Sequence, residues 1–165
     1  MTEIEMILEM AEMQKKLDEA LLEKGKTLRL IDSFDKYRTV LALIDEIGEL
    51  THELKAEWCW WKQTQAPVNT EKLLEELVDC WHFGLSLDNH SDYEIEYHRA
   101  WLKLPRGNTF IAKKLNNVIE NAMLERLVTP PLYTLTYALG FSMEQVYNGY
   151  IKKNKENYER IASGY

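Results

Sequence analysis

The apolar residues of this chain recur at intervals of three and four, which places them on one face of an α-helix. The first such face spans residues 2–24 and is formed by Met6, Met10, Met13, Leu17 and Leu21. Only 7 glycines and 4 prolines interrupt the 165 residues, so the elements between these helix-breaking positions can be long. The sequence therefore predicts an all-α fold, with the first helix ending near Gly25.

The same periodicity predicts the rest of the bundle. Further helices are expected over residues 36–60, 71–88, 109–127, 132–139 and 144–162, and the segment carrying Tyr93, Tyr97 and Trp101 follows the third. Residues 133–137 (YTLTY) contain β-branched side chains, but no partner strand is visible, so a short helix is preferred. The chain length favours one domain, 1–165, with about six to seven helices.

Charge and composition exclude several classes of function. The net charge of −7 opposes a polymeric nucleic acid as partner, whereas a small anion carried by a metal ion is still compatible. No apolar run is long enough to span a bilayer, and acids replace the basic start of a signal peptide, so a cytoplasmic protein is expected. Cys59 and Cys80 form no CxxC pair and indicate neither a zinc site nor a disulfide.

Two acidic patterns lie on neighbouring predicted helices. Glu46, Glu49 and Glu53 are spaced i, i+3 and i+7, and Glu76 and Asp79 repeat the first interval on the next helix. If these helices pack antiparallel, the carboxylates converge, and their repulsion favours a bound cation. Ligands that are all oxygen select Mg²⁺ or Mn²⁺, which commonly hold substrate phosphates.

Other interpretations of these acids remain open. Each pattern taken singly is typical of a solvated helix face. Glu49-x-x-His52 and Asp79-x-x-His82 also resemble the paired motifs of a di-iron bundle, which would need two further bridging carboxylates. The acids available for that role are Glu9, Glu12, Glu120 and Glu125. Nothing in their sequence context singles any of them out.

The last sixteen residues carry a local positive charge on an acidic chain. They contain four Lys or Arg and two Glu, a surplus of two positive charges. Lys153, Asn157 and Arg160 are spaced i, i+4 and i+7, so one helix face presents two cations and an amide. This face suits recognition of a phosphate and a base, although a solvated charged face is the simpler alternative.

Three motifs carry a resemblance to a known family. They are EIGELTHELKAEWCWWK at 46–62, EELVDCWHF at 75–83 and YIKKNKENYERIASGY at 150–165. Together they resemble the dimeric all-α dUTPases of bacteria, their phages and trypanosomatids. The resemblance extends from the first helix to the last residue, and its most specific part is the pair of acidic motifs, with 26 residues between Glu49 and Glu76.

The resemblance implies an activity and a set of metal ligands. Glu46, Glu49, Glu76 and Asp79 match the residues that hold Mg²⁺, with Mn²⁺ as a possible substitute, and Glu49 is the one expected to activate the attacking water. The implied reaction is hydrolysis of dUTP to dUMP and pyrophosphate by a homodimer, with dUDP as a second substrate. The nearest rival is a pyrophosphatase of the same fold that acts on dCTP or a damaged nucleotide.

The resemblance also implies residues that bind the substrate. They are Gln14, Asp18, Trp58, Trp61, Lys62, His82, Lys153, Asn157 and Arg160. Gln14 matches the glutamine that reads the uracil edge, and Asp18 stands where relatives tend to carry an amide. Trp58 and Trp61 would wall the base pocket, although aromatic residues at this spacing are also typical of a core.

Overall fold

The computed structural model describes residues 1–92 and 110–164, and these residues form helices without a strand. Their bounds are α1 Glu3–Thr27, α2 Lys36–Glu53, α3 Lys55–Trp58, α4 Thr70–Asn89, α5 Ile111–Met123, α6 Thr129–Ala138 and α7 Met143–Ser163. The all-α prediction is confirmed. The predicted segment with Tyr93, Tyr97 and Trp101 lies outside the described residues.

Helix α1 begins at a residue whose side chain caps it and ends close to the predicted position. Thr2 caps α1 in a capping box with Glu5, whose side chain accepts a hydrogen bond from the Thr2 backbone. The helix passes through Gly25 and ends two residues later, so the predicted end was slightly early. Its buried face includes Met10 and Leu17, as expected, whereas Leu21 is 47% exposed.

The predicted helix 36–60 is wrong at its end, because α2 ends at Glu53 and a separate short helix follows. The backbone N–H of Leu54 donates to the carbonyl of Thr51, a tighter turn than an α-helix allows. The Trp58 indole then donates to the same carbonyl at 2.8 Å. The chain therefore folds back at the tryptophan-rich segment instead of continuing as one helix.

The prolines at 130 and 131 lie in the first turn of α6, so this helix begins at Thr129, three residues before the predicted start at residue 132. They occupy the first positions of α6, where their missing N–H groups need no partner. The preceding helix, α5, already ends at Met123, four residues before the predicted end, and Glu125 adopts a positive φ of 56° in the turn.

Helix α4 is the central element, and it packs against α1, α2, α6 and α7. Leu77, Trp81 and Leu85 of α4 are fully buried, and the Trp81 indole donates to the Thr136 hydroxyl of α6 at 3.0 Å. None of the helices within residues 1–92 and 110–164 combines the length and the hydrophobicity that a membrane-spanning segment needs. The bundle thus places the acids of α4 between α2 and α7.

Candidate active site

The acids of α2 and α4 converge as predicted. Oxygen atoms of Glu46, Glu49 and Glu76 all lie within 4.8 Å of one another, which is close enough to share one metal ion. Asp79 follows Glu76 by one turn of α4 and accepts a hydrogen bond from the Lys153 ammonium at 2.6 Å. Two neighbouring helices and the basic face of α7 therefore meet at this carboxylate group.

Three carboxylates of this group, those of Glu46, Glu76 and Asp79, have a raised pKa. Burial, followed by the charges of Asp79, Glu49 and Glu76, raises the pKa of Glu46 from 4.5 to about 7. Burial, followed by the charges of Glu49 and Asp79, also raises the pKa of Glu76. Burial raises the pKa of Asp79, although Lys153 opposes the shift. Such a group is stabilised by any cation that neutralises it.

Besides Lys153, which contacts Asp79, a second lysine lies near the carboxylates, and it was not predicted from the sequence. The Lys72 ammonium is 2.8 Å from Glu53 and 4.0 Å from Glu76. The i, i+4 spacing of Lys72 and Glu76 on α4 was the available signal. Lys72 and Lys153 therefore frame the carboxylates from opposite ends of the α4 motif.

One cavity of about 530 Å³ connects most of the predicted site residues. Helices α1, α2, α4 and α7 all contribute to its walls. The predicted residues that line it are Gln14, Asp18, Glu46, Asp79, His82, Lys153, Asn157 and Arg160. The cavity thus joins the edge of the carboxylate group to the basic face of α7 and to polar residues of α1.

The polar residues at the α1 wall form a buried hydrogen-bond network. The Gln14 amide donates to Asp18 at 2.7 Å, and Ser86 donates to the other oxygen of Asp18 at 2.8 Å. The Gln14 carbonyl is 2.6 Å from the Tyr150 hydroxyl and 2.8 Å from Nδ1 of His82. Gln14 is only 4% exposed, so it lies inside the bundle.

Burial sets the charge state of this network. It lowers the pKa of His82 to about 3, with the Lys153 charge adding to the effect, so the imidazole is neutral. Burial also raises the pKa of Asp18, against hydrogen bonds from Gln14 and Ser86 that stabilise the carboxylate. Among the described residues, Nε2 of His82 has no hydrogen-bond partner.

The histidines do not join the carboxylate group. His52 is exposed on α2, where its Nε2 is 3.2 Å from the Lys55 ammonium. His82 is bound to Gln14 instead. Within the described residues, the acids that converge are three glutamates, so the di-iron interpretation lacks its histidine ligands.

The tryptophan-rich segment lies apart from the cavity walls. Trp58 is half-buried and packs edge to face with Trp61, with 5.7 Å between the ring centroids. Trp61 is 60% exposed, Lys62 is also exposed, and none of these three residues lines the cavity. Their contact with the substrate stays a prediction.

Two residues of the network were missed by sequence reasoning. Tyr150 is fully buried and stacks on His82 with 3.9 Å between ring centroids. It opens the C-terminal motif three residues before Lys153, which was a usable signal. Ser86 follows His82 by one helical turn, but a lone serine in an apolar stretch carries no recognisable pattern.

A comparison with protein families shows which family the chain belongs to. The family described as dUTPase matches residues 6–165, which is nearly the whole chain. The chain belongs to the all-α dUTPase family. It is accordingly a dUTP diphosphatase, an enzyme that hydrolyses dUTP. A search of curated proteins returned no significant match. The family suggested by the three motifs is therefore confirmed.

Proposed function

We propose that this dUTPase uses Mg²⁺, with Mn²⁺ as a substitute, and that the cavity between α1, α2, α4 and α7 is its active site. The observation that carries the proposal is the meeting of a carboxylate group and a basic helix face along one cavity. A nucleoside triphosphate needs both, because its phosphates bind metal ions and cationic side chains.

The carboxylate group fits a hard divalent ion. Its converging donors are oxygens of Glu46, Glu49 and Glu76, and Asp79 adds a further carboxylate one turn along α4. Oxygen ligands suit Mg²⁺ and Mn²⁺, whereas zinc commonly takes nitrogen or sulfur. When bound, such ions neutralise phosphate oxygens and lower the pKa of a coordinated water.

Residues of the chain itself would activate the attacking water and bind the substrate. Glu49 is exposed beside the partly buried Glu46, so its carboxylate can reach solvent and orient or deprotonate the attacking water. Lys153 and Arg160 line the cavity from α7 and would hold phosphate oxygens. Asn157, between them on the same face, would contact the base or the sugar.

The base would enter the cavity toward α1. Gln14, Asp18 and His82 are assigned to this end, since all three line the cavity and belong to the hydrogen-bond network at the α1 wall. Trp58, Trp61 and Lys62 are assigned to substrate binding from the neighbouring segment. We further propose that the enzyme is a cytoplasmic homodimer that accepts dUDP as well as dUTP and has neither polymeric nucleic acid nor membrane as a partner.

The test is pyrophosphate release from a panel of deoxynucleoside and ribonucleoside triphosphates, with Mg²⁺, with Mn²⁺ and with chelator. We expect a clear preference for dUTP, activity with either ion, and loss of activity with chelator. Phosphate release from dUDP is measured in the same assay. A preference for dCTP would instead indicate the rival pyrophosphatase, and activity in chelator would contradict the metal assignment.

A further inference from the structure

A chain of hydrogen bonds runs from α4 through α1 and back to α4, and each link has a fixed direction. Both carboxylate oxygens of Asp18 accept a hydrogen bond, one from the Ser86 hydroxyl at 2.8 Å and one from the Gln14 amide at 2.7 Å. The NH₂ group of Gln14 must therefore face Asp18. Its carbonyl oxygen then faces the opposite way.

The orientation of Gln14 fixes the proton on His82. The Gln14 carbonyl oxygen can only accept, and it lies 2.8 Å from Nδ1 of His82. Nδ1 must therefore carry the hydrogen, and in a neutral imidazole this leaves Nε2 with a bare lone pair. Tyr150 supports the same orientation, because its hydroxyl donates to the same oxygen at 2.6 Å.

The lone pair of Nε2 is buried without a partner. His82 is 4% exposed and lines the cavity, and Nε2 has no hydrogen-bond partner among the described residues. A buried acceptor that gives up its hydrogen bond to water without forming another one costs folding free energy. A ligand that donates a hydrogen bond to Nε2 would remove this cost. Two facing acceptors would repel each other.

We infer that Asp18 is a positioning residue that orients Gln14 and, through it, holds His82 as an acceptor for a hydrogen-bond donor on the bound nucleotide. This inference rests on the proposed location of the active site. The reversed Gln14 amide would place its oxygen 2.7 Å from a carboxylate oxygen of Asp18, and two acceptor oxygens at that distance repel each other. The carboxylate thus acts on the nucleotide through two other side chains.

A deoxyuridine nucleotide offers two donors for this purpose, the N3–H of uracil and the 3′-hydroxyl of the sugar. Cytosine has no hydrogen on N3, so contact at that atom would also exclude dCTP. The two donors share one chemistry, and nucleotide analogues that lack one or the other separate them.

The first experiment reads the His82 tautomer directly. The full-length protein is labelled with ¹⁵N-histidine, and long-range proton–nitrogen NMR spectra are recorded, with His82→Gln used to assign the signals. We expect the Nδ1–H tautomer for His82 in the free enzyme. An Nε2–H tautomer would overturn the inference.

Two substitutions of Asp18 test its positioning role. Asp18→Leu removes the acceptor, so Gln14 can reverse and His82 should become a mixture of tautomers. Asp18→Asn keeps a carbonyl oxygen for Gln14 and an amide for the Ser86 oxygen, so it should preserve the Nδ1–H tautomer. If Asp18→Leu lowers the melting temperature but leaves the tautomer unchanged, Asp18 is only structural and the inference fails.

Titration with nucleotide analogues identifies which group of the nucleotide donates the hydrogen bond to Nε2 of His82. dUMP, 3-methyl-dUMP and 2′,3′-dideoxyuridine monophosphate are titrated into the labelled enzyme, and the Nε2 resonance is followed. We expect dUMP to shift it and one analogue, the one lacking the donor, to leave it in place. If both analogues shift it as dUMP does, neither donor is the partner and the inference is overturned. Pyrophosphate release from dUTP on the same sample separates this outcome from failure of the proposed function.

Discussion

At the scale of single residues, the site depends on carboxylates whose surroundings differ. Glu49 is exposed, whereas Glu76 is 7% exposed and Glu46 is partly buried. An exposed carboxylate can exchange water and protons with solvent, while a buried one is better placed to hold an ion rigidly. This difference supports the assignment of Glu49 as the residue that activates water.

Replacing Glu49 tests that assignment. Glu49→Gln keeps the size of the side chain but removes its charge, so turnover of dUTP with Mg²⁺ should fall by about 10²-fold or more. The melting temperature in chelator should not fall, because the substitution relieves repulsion within the carboxylate group. Glu120→Gln, an exposed acid of α5, is the control and should keep full activity. A marked loss of stability in Glu49→Gln would contradict the prediction that these carboxylates repel one another in the metal-free enzyme.

Gln14 should affect base selection more than metal use. Gln14→Leu leaves the Tyr150 hydroxyl and the Nδ1–H of His82 without their acceptor, so a loss of about 1–3 kcal/mol in unfolding free energy is expected. The kcat/KM ratio of dUTP to dCTP should fall at least about tenfold, by loss of hydrogen-bonding specificity. The Mg²⁺ dependence should stay unchanged. If the nucleotide ratio is kept, the base is read elsewhere, with Asn157 the next candidate.

Glu46 should make the stability of the chelated enzyme depend on pH. Its pKa rises from 4.5 to about 7 on folding, so between these values the folded protein holds a proton that the unfolded chain releases. Unfolding free energy should therefore decrease as pH rises through this window. Glu46→Gln should flatten the decrease, as measured by urea unfolding in chelator, and Glu12→Gln on the exposed face of α1 should not. A stability that rises over the same window would contradict the raised pKa.

At the scale of elements, α6 receives its cap from another helix. The two oxygens of Asp88, on α4, accept from the backbone N–H groups of Val128 at 2.7 Å and Thr129 at 2.8 Å. No side chain of the α6 N-terminus itself provides this cap. The carboxylate is buried, which raises its pKa to about 6, so it is mainly ionised at pH 8. One side chain thus joins the central helix to the start of α6.

Loss of this cap should cost more than loss of a local one. Asp88→Ala leaves two buried N–H groups unpaired and should lower the unfolding free energy at pH 8 by about 3 kcal/mol. The matched control is Asn69→Ala at the exposed start of α4, where a single cap contributes about 1 kcal/mol. Both are measured by urea denaturation. Equal losses of unfolding free energy in the two variants would show that the contact between α4 and α6 adds no stability beyond that of a local cap.

At the scale of the whole molecule, the cavity proposed as the active site forms only when four helices pack together. Its walls come from α1, α2, α4 and α7, and α4 packs against the other three. The described surface also keeps large apolar side chains exposed, among them Tyr37 at 72%, Leu41 at 67% and Met123 at 65%. A second copy of the chain would shield such side chains from water.

The proposed homodimer predicts a mass in solution that is twice the mass of one chain. Sedimentation equilibrium at micromolar concentration should give about twice the 19.5 kDa of one chain. The measurement is repeated with Mg²⁺ and dUMP and with chelator, so that any dependence on ligand is seen. A mass of one chain under all these conditions would contradict the homodimer.

The sequence alone determined the local elements and the chemistry they carry. Helical periodicity gave α1, α2, α4 and α7, because apolar spacing and caps act within a few residues. The spacing of Glu46 with Glu49 and of Glu76 with Asp79 predicted convergence, and the structure brings three of these acids within 4.8 Å. The motifs around them gave the family, which the family comparison confirmed.

The tertiary structure decided what depends on partners distant in the chain. The sequence could not show that Gln14 lies 2.8 Å from His82, or that Asp88 caps a helix 40 residues away, because no local pattern encodes such pairs. The end of α2 at Glu53 was missed for a related reason. The residues that follow continue a helical pattern, and the fold-back is held by the contact of Trp58 with Thr51, which exists only once the chain has turned.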